Sequence, residues 1–419
     1  MRPAMTAEIE IVIETLGAQA DGVAQTPQGP LYVPYVLPQE RVLVRPAGDG
    51  RAELRRVLDA SADRIAPACP HFTFCGGCSL QHMEAARYAD WKWAQVATAL
   101  RARGIEAEIA PLVPARPRSR RRATFAATRT KKTLAIGYYA QASHTIVPIA
   151  ECPLVVPEIE RALPALAGLV APGLSRTSRA SVLVTSTASG LDVAVTGGKP
   201  LDGPLRLELA ARASAADIAR LSWGGEIVAG RRPPFVDLSG LAVLPPPGAF
   251  LQPTREGEAA LVRLVAQGVG KSVRIADLFA GCGTFSASLA RSATVHAVEG
   301  ESASLAALAR AVREQGPSLG LKPVTHETRD LARRPLLRSE LDSFDAVVFD
   351  PPRAGAAAQA EEIARSEVPV VAAVSCNPAT FARDARTLLD GGYALSELTP
   401  VDQFLWSPHI ELVGIFRKG

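Results

Sequence analysis

A chain of 419 residues is too long for one ordinary hydrophobic core and is expected to divide into two or three domains. Apolar residues make up 47% of it, yet no run approaches the roughly 18 uncharged apolar residues of a membrane helix, and the start MRPAMTAEIE meets acidic residues before any apolar segment. Neither a membrane span nor a secretory signal is expected, a cytoplasmic enzyme is the expectation, and the small net charge of +4 matters only through its uneven distribution.

From Glu8 to about Asp59, alternating segments such as EIEIVIE and ERVLVRP are separated by turn-rich stretches such as AQADGVAQTPQGP. They predict the short strands of a small β-barrel over residues 1–60. A cysteine-bearing segment, ACPHFTFCGGCSLQH, comes next, and the Ala- and Arg-rich stretch from about Ala85 to Arg103 favours a helix. Between Ala110 and Ala150 there is no acidic residue, whereas Arg116, Arg118, Arg120, Arg121, Arg122, Arg129, Lys131 and Lys132 gather there. A solvated face explains many arginine runs. With Phe125, Tyr138 and Tyr139 following closely, the expected role is nucleic-acid binding, arginines on phosphates and rings stacked on unpaired bases. Strand-like runs and Pro-rich joints continue to Pro246, predicting an α+β middle region over residues 61–247.

Residues 248–419 change texture. The apolar runs VRIADLF, TVHAVE, DAVVFD and VPVVAAVSC each precede a helical stretch, as expected of a doubly wound α/β domain with a mostly parallel sheet, whose ligands bind beyond the C-terminal strand ends. The first end reads ADLFAGCGTF: Asp277 closes the strand, and Gly281 and Gly283 form a turn that lets backbone approach a ligand. Ser286 stands where a dinucleotide fingerprint wants its third glycine, so a nicotinamide cofactor fits poorly. Glu299, twenty-two residues after Asp277, ends the second strand and can hold both hydroxyls of an adenosine ribose. The pair DLFAGCGTF and VEG resembles the Rossmann-like S-adenosylmethionine-dependent methyltransferases, which implies a turn along the methionine moiety, Glu299 on the ribose and Asp330 as an adenine contact.

The third strand end, FDPPRAG, holds Asp350 ahead of two prolines that end the strand and stiffen the loop. Methyltransferases acting on exocyclic amines carry similar loops, but with an aromatic residue next; here Arg353 follows. Cys376 occupies the fourth end in AAVSCNPATFARD. Buried cysteine is ordinarily a small apolar residue. At the top of a parallel sheet, near the start of a helix at about Ala379, a thiol is expected to have its pKa lowered. Carbon methylation of a pyrimidine needs such a nucleophile, because C5 of uracil becomes reactive once a thiolate adds at C6. A base must then remove the C5 proton. Glu411, within the apolar run SPHIELVGIF, is the candidate, with Asp402 and His409 as neighbouring alternatives.

SCNPATFARD, DPPRAG, GAFLQPT and HIELV, four separated motifs in order, resemble the RNA 5-methyluridine (uracil-C5) methyltransferases. The resemblance implies Cys376 as nucleophile, Glu411 as proton acceptor, Asp350 between cofactor and uracil, and Gln252, Phe279, Gly281 and Thr284 at the cofactor, with Thr284 standing where many relatives have Asn. Cys69, Cys75 and Cys78, spaced C-x5-C-x2-C, together with the distant Cys152 make a four-thiolate site, and spacing alone leaves zinc and iron-sulfur equally open. CPHFTFCGGCSLQH with a later ECPLV resembles the family branch that binds a 4Fe-4S cluster and acts on 23S ribosomal RNA. In that branch the leading β module is an OB-like TRAM barrel. Cys282 reads as packing. The alternatives are transfer-RNA uridine methylation, exocyclic-amine methylation, and a non-catalytic RNA-binding assembly factor; DNA and membrane partners are not expected.

Overall fold

The computed structural model describes residues 7–130, 134–176 and 178–419. Three large sheets organise them, besides a two-stranded ribbon, Val236–Leu238 with Leu241–Val243. The first has six strands between Ile9 and Asp59, built from the hairpins Gly22–Thr26/Gly29–Val33 and Arg41–Gly48/Arg51–Asp59. Alternation of side chains puts Val42, Val44, Leu31, Val33 and Ala24 on one buried face. The second sheet has seven strands and carries the helices Pro157–Val170 and Gly203–Ala215. Phe125, Val182, Val184, Val193 and Val195 face these helices in a common core.

The third sheet positions the site. Its strands, in spatial order, are Val324–Thr328, Thr294–Glu299, Arg274–Leu278, Ala346–Phe349, Val370–Ser375, Glu411–Lys418 and Tyr393–Val401. The first five run parallel, and Glu411–Lys418 is antiparallel to both its neighbours. Sequence order reverses at Arg274–Leu278, so a crevice opens beyond that strand and Ala346–Phe349. Both strands are buried nearly throughout, as their unbroken apolar runs require. The α/β expectation holds here.

The helix Ala85–Arg101 adds a connection that composition did not disclose. It packs against the helix Pro378–Asp390, and its Val96 and Leu100 join the core of the third sheet with Leu278, Phe349 and Phe381. The Glu84 side chain caps it by accepting from the amides of Ala86 and Arg87. No helix among the described residues is long and apolar enough to cross a membrane.

Candidate active site

Four strand ends meet at the crevice. At the first, Asp277 is fully buried: burial pushes its carboxyl up to about 7, the Ser286 hydroxyl donates to Oδ2, and Oδ1 has no partner. The chain then turns through Phe279 at φ +61°, a left-handed conformation that costs a bulky residue energy and marks functional turns. Gly281 (φ +55°) leaves open space where a side chain would stand, whereas a side chain at Gly283 would collide with Leu308. Both carboxylate oxygens of Glu299 are fixed by backbone amides, Oε2 by Gly281 at 2.9 Å and Oε1 by Glu301 at 2.8 Å. Asp330 is exposed, lies two residues past Val324–Thr328, and its backbone borders Gly300. Thr284 lines a cleft of about 630 Å³ with Arg121, Thr187, Arg255 and Glu258, a lining that includes none of the other cofactor candidates.

Asp350 accepts a 3.0 Å hydrogen bond from Gln252 Nε2, and Gln252 Oε1 accepts one of 2.9 Å from Gln403 Nε2. Burial first, then the Asp277 carboxyl, lifts Asp350 to about 7, with Gln252 opposing the rise. Gln403 carried no sequence signal, because a buried glutamine reveals itself only when the fold brings it to a partner. Arg121 holds the same segment: its Nε donates to the Gln252 carbonyl at 3.1 Å, its amide to the Pro253 carbonyl at 2.8 Å, and its guanidinium pairs with Glu258.

Cys376 is half-buried at the end of Val370–Ser375 and lines a cavity of about 260 Å³ with Arg353, Asn377, Pro378, His409 and Ile410. The adjoining helix, Pro378–Asp390, begins with proline at its first position and is capped by Asn377, whose Oδ1 accepts from Ala379 at 3.1 Å. The expected lowering of this thiol's pKa is not what the surroundings produce. Burial, then the carboxyls of Glu411 and Asp350, push it up to about 11, and the favourable Arg353 charge is smaller. In ligand-free protein, alkylation of Cys376 is therefore expected to be slow at pH 7 and to accelerate about tenfold per pH unit toward pH 9, as thiolate accumulates. A rate flat across that range, measured on the peptide containing Cys376, contradicts this electrostatic picture.

Glu411, only 3% exposed, begins its strand with Oε2 lacking any partner. Burial, reinforced by Asp350, raises its pKa well above the ordinary carboxylate range. A buried, unsatisfied carboxyl is rare outside functional sites. Of the alternatives, Asp402 is committed to an ion pair with Lys92. His409 borders the Cys376 cavity, and burial, assisted by Arg353, Lys92 and Arg120, lowers its pKa.

The basic segment is less uniform than its sequence. Arg121 is buried in its ion pair, Arg118 pairs with Glu160, and the guanidiniums of Arg120 and Arg122 lie over the rings of Phe404 and Phe250. Arg116 and Arg129 are exposed, while Lys131 and Lys132 lie outside the described residues. Phe125 is 0% exposed and packs against Tyr138 with ring centroids 5.1 Å apart, so its expected stacking on bases is ruled out by burial in the core. Tyr139 is exposed. Arg120, Tyr138, Arg51 and His409 border a cleft of about 690 Å³ between the three sheets.

Cys69, Cys75, Cys78 and Cys152 line one small, largely apolar cavity and form no disulfide. Among the described residues no three His, Cys, Asp or Glu side chains gather closely enough to hold a single metal ion.

Comparison with known proteins adds independent findings. The family model for tRNA (uracil-5-)-methyltransferase matches residues 246–418. An uncharacterized RNA methyltransferase of Brucella suis is 48% identical over 413 residues, 98% of each chain. One of Caulobacter vibrioides is 47% identical over 419 residues, 98% of this chain and 100% of the relative. The solved structure of Pyrococcus abyssi tRNA (uracil-54, C5)-methyltransferase in complex with S-adenosyl-L-homocysteine shares the fold, with a TM-score of 0.74 at 23% identity, covering 97% of this chain and 100% of that one.

Proposed function

The chain belongs to the S-adenosylmethionine-dependent RNA uracil-5-methyltransferase family, and we propose that it forms 5-methyluridine in 23S ribosomal RNA through a covalent adduct on Cys376. One observation carries the mechanism: a half-buried thiol at a parallel-strand end interacts with two carboxyls, the partly exposed Asp350 and the buried Glu411, whose Oε2 is unpartnered.

The residues present fit the cofactor. Gly281 leaves an open face, Glu299 is aimed by two amides, and Asp277 is buried at the end of its strand with one oxygen unpartnered. S-adenosylmethionine, when bound, supplies an electrophilic methyl group on a positively charged sulfonium. Glu299 would hold the ribose hydroxyls, Gly281 and Phe279 would border the methionine moiety, and Asp330 would contact the adenine. Thr284, lining a different cleft, is left out of the cofactor site. Asp350, kept partly protonated in the ligand-free site, is the carboxyl that a neighbouring positive charge returns to its ionised form.

The target uridine leaves its stack to reach the cavity beside His409. Cys376 thiolate adds to C6, and the electron pair of the C5–C6 double bond moves toward C5 and the C4 carbonyl. Gln252, oriented by Gln403 and Arg121, holds the base while C5 takes the methyl group. Glu411 carboxylate then removes the C5 proton, the double bond re-forms and the Cys376 thiolate leaves. Burial and the Asp350 carboxyl raise its pKa, so that once ionised it is a stronger base toward carbon than an ordinary carboxylate.

The four thiols fit a 4Fe-4S cluster held by Cys69, Cys75, Cys78 and Cys152. They line one cavity and form no disulfide, so all four thiols are free to ligate iron. No step of the chemistry moves an electron, so the cluster is structural. Anaerobically purified Cys78→Ala is expected to lose most iron, sulfide and visible absorbance, while Cys282→Ala retains them. Wild-type protein containing stoichiometric zinc and no iron contradicts the assignment.

The N-terminal six-stranded sheet is the TRAM-like RNA-binding module, and together with the cysteine site it favours ribosomal RNA. Transfer RNA is the second reading, favoured by the full-length likeness of fold to a tRNA enzyme. Mapping 5-methyluridine in ribosomal and transfer RNA from cells with and without this protein decides between them: loss of a methyl group from 23S RNA supports the first reading, and loss only from transfer RNA supports the second.

A further inference from the structure

Lys92 lies on the helix Ala85–Arg101, more than three hundred residues before the segment it contacts, and its ammonium is buried. Nζ pairs with Asp402 Oδ1 at 2.6 Å, the two side chains being 0% and 1% exposed. It also donates to the carbonyls of His409 at 2.7 Å and Phe404 at 3.3 Å. Tyr88, one turn earlier, donates through its hydroxyl to Asp402 Oδ2 at 2.8 Å and accepts from the Trp406 amide at 2.9 Å. The Phe404 amide completes the group on Asp402 Oδ1 at 2.8 Å.

All of these bonds converge on the segment between Val401 and Glu411. Its opposite side is held by the cysteine segment, where the amides of Ser79 and Leu80 both donate to the Trp406 carbonyl, at 2.8 and 3.1 Å. Trp406 sits at φ +59°, a strained conformation for a bulky residue that persists where the surroundings fix it, and here both its amide and its carbonyl are hydrogen-bonded. The segment carries Gln403, which orients Gln252, then His409, which borders the Cys376 cavity, and it ends at Glu411. A buried ion pair seldom stabilises a fold more than apolar residues of the same volume would. What it does supply here is direction: four donated hydrogen bonds, three from one ammonium and one from a phenol, set the path of residues 402–410, which apolar packing alone does not.

We propose that Lys92, acting through Asp402 and supported by Tyr88, is a positioning residue for proton removal: it fixes the 402–410 segment so that Glu411 and His409 face the base held on Cys376. The inference rests on the assignment of Glu411 as proton acceptor. It makes the helix that follows the cysteine site part of the support of the catalytic carboxyl.

The test is the double variant Lys92→Met/Asp402→Asn, which removes both charges and leaves neither buried ion uncompensated. Single-turnover assays with RNA and S-adenosylmethionine read adduct formation and product release separately, and thermal melting reads the folded fraction. The expected result is a folded protein that forms the denaturation-resistant adduct at close to the wild-type rate but releases product about 100-fold more slowly, the scale of loss from a misplaced catalytic group. Formation and release falling together in proportion to the folded fraction, or release at the wild-type rate, overturns the proposal. Should the double variant melt below the assay temperature, Tyr88→Phe, which keeps the ring and removes only the hydroxyl, carries the same prediction of selectively slowed release. Glu411→Gln run alongside separates the two assignments: if it traps adduct and the positioning variants do not, only the role of Lys92 fails; if it releases product freely, the base assignment fails first.

Discussion

Cys376→Ala is expected to abolish formation of 5-methyluridine, a loss on the order of 10⁶-fold, the scale seen when a covalent nucleophile is deleted. The size follows from the substrate. C5 of uracil is too weak a nucleophile to attack a methyl sulfonium, and no other thiol borders the cavity that Cys376 shares with Arg353 and His409 among the described residues. The change removes one sulfur from a half-buried position at a strand end, so the fold loses about 1 kcal/mol or less. Cofactor affinity is expected to persist, because Glu299, Gly281 and Asp350 stand on other strands. Calorimetric titration with S-adenosylhomocysteine and mass spectrometry of the RNA check both halves. Methylation of uridine C5 at more than a trace rate by this variant removes the nucleophile assignment.

Glu411→Gln is expected to slow turnover by about 10²- to 10⁴-fold, the usual contribution of a general base, and to do so after the carbon–carbon bond has formed. Glutamine keeps the shape of the side chain while losing the ability to accept a proton from carbon. Its removal of a buried, unpartnered carboxyl leaves the fold intact, and melting at or above the wild-type temperature is the expected control. The RNA should accumulate as an adduct with its methyl group already in place, resistant to denaturant and released only by protease. Free methylated RNA at the wild-type rate points to another acceptor, and His409 is the group that borders the same cavity.

Much of this was readable in the chain before folding, and the reasons differ by residue. Strands such as Ala346–Phe349 and Val370–Ser375 are buried on both faces, so their apolar runs announced the parallel sheet, and the polar residue ending each run marked a strand end. The structure brings Asp277, Asp350, Cys376 and Glu411 close enough to act on one another electrostatically. That interaction is also what local reasoning missed: a helix start favours a thiolate, but the carboxyls of Asp350 and Glu411 oppose it, and they arrive from strands about twenty-five and thirty-five residues away in the chain. Arg121 looked like a phosphate ligand because its pairing with Glu258 spans a distance that charge counting ignores. Phe125 alternates inward on its strand, and only the placement of the helix Pro157–Val170 reveals which face is inward. Gln403, Lys92 and Tyr88 have no local signature; their meaning lies in partners more than a hundred residues away.

The most direct measurement uses RNA carrying 5-fluorouridine, in which no proton can be removed from C5 after methyl transfer. Incubated with the protein and S-adenosylmethionine, such ribosomal or transfer RNA should become bound through a bond that survives denaturation. Digestion should then yield the peptide containing Cys376 joined to a methylated 5-fluorouridine. Absence of any adduct while ordinary uridine RNA is methylated, or a methyl group found on an exocyclic amine, contradicts the account.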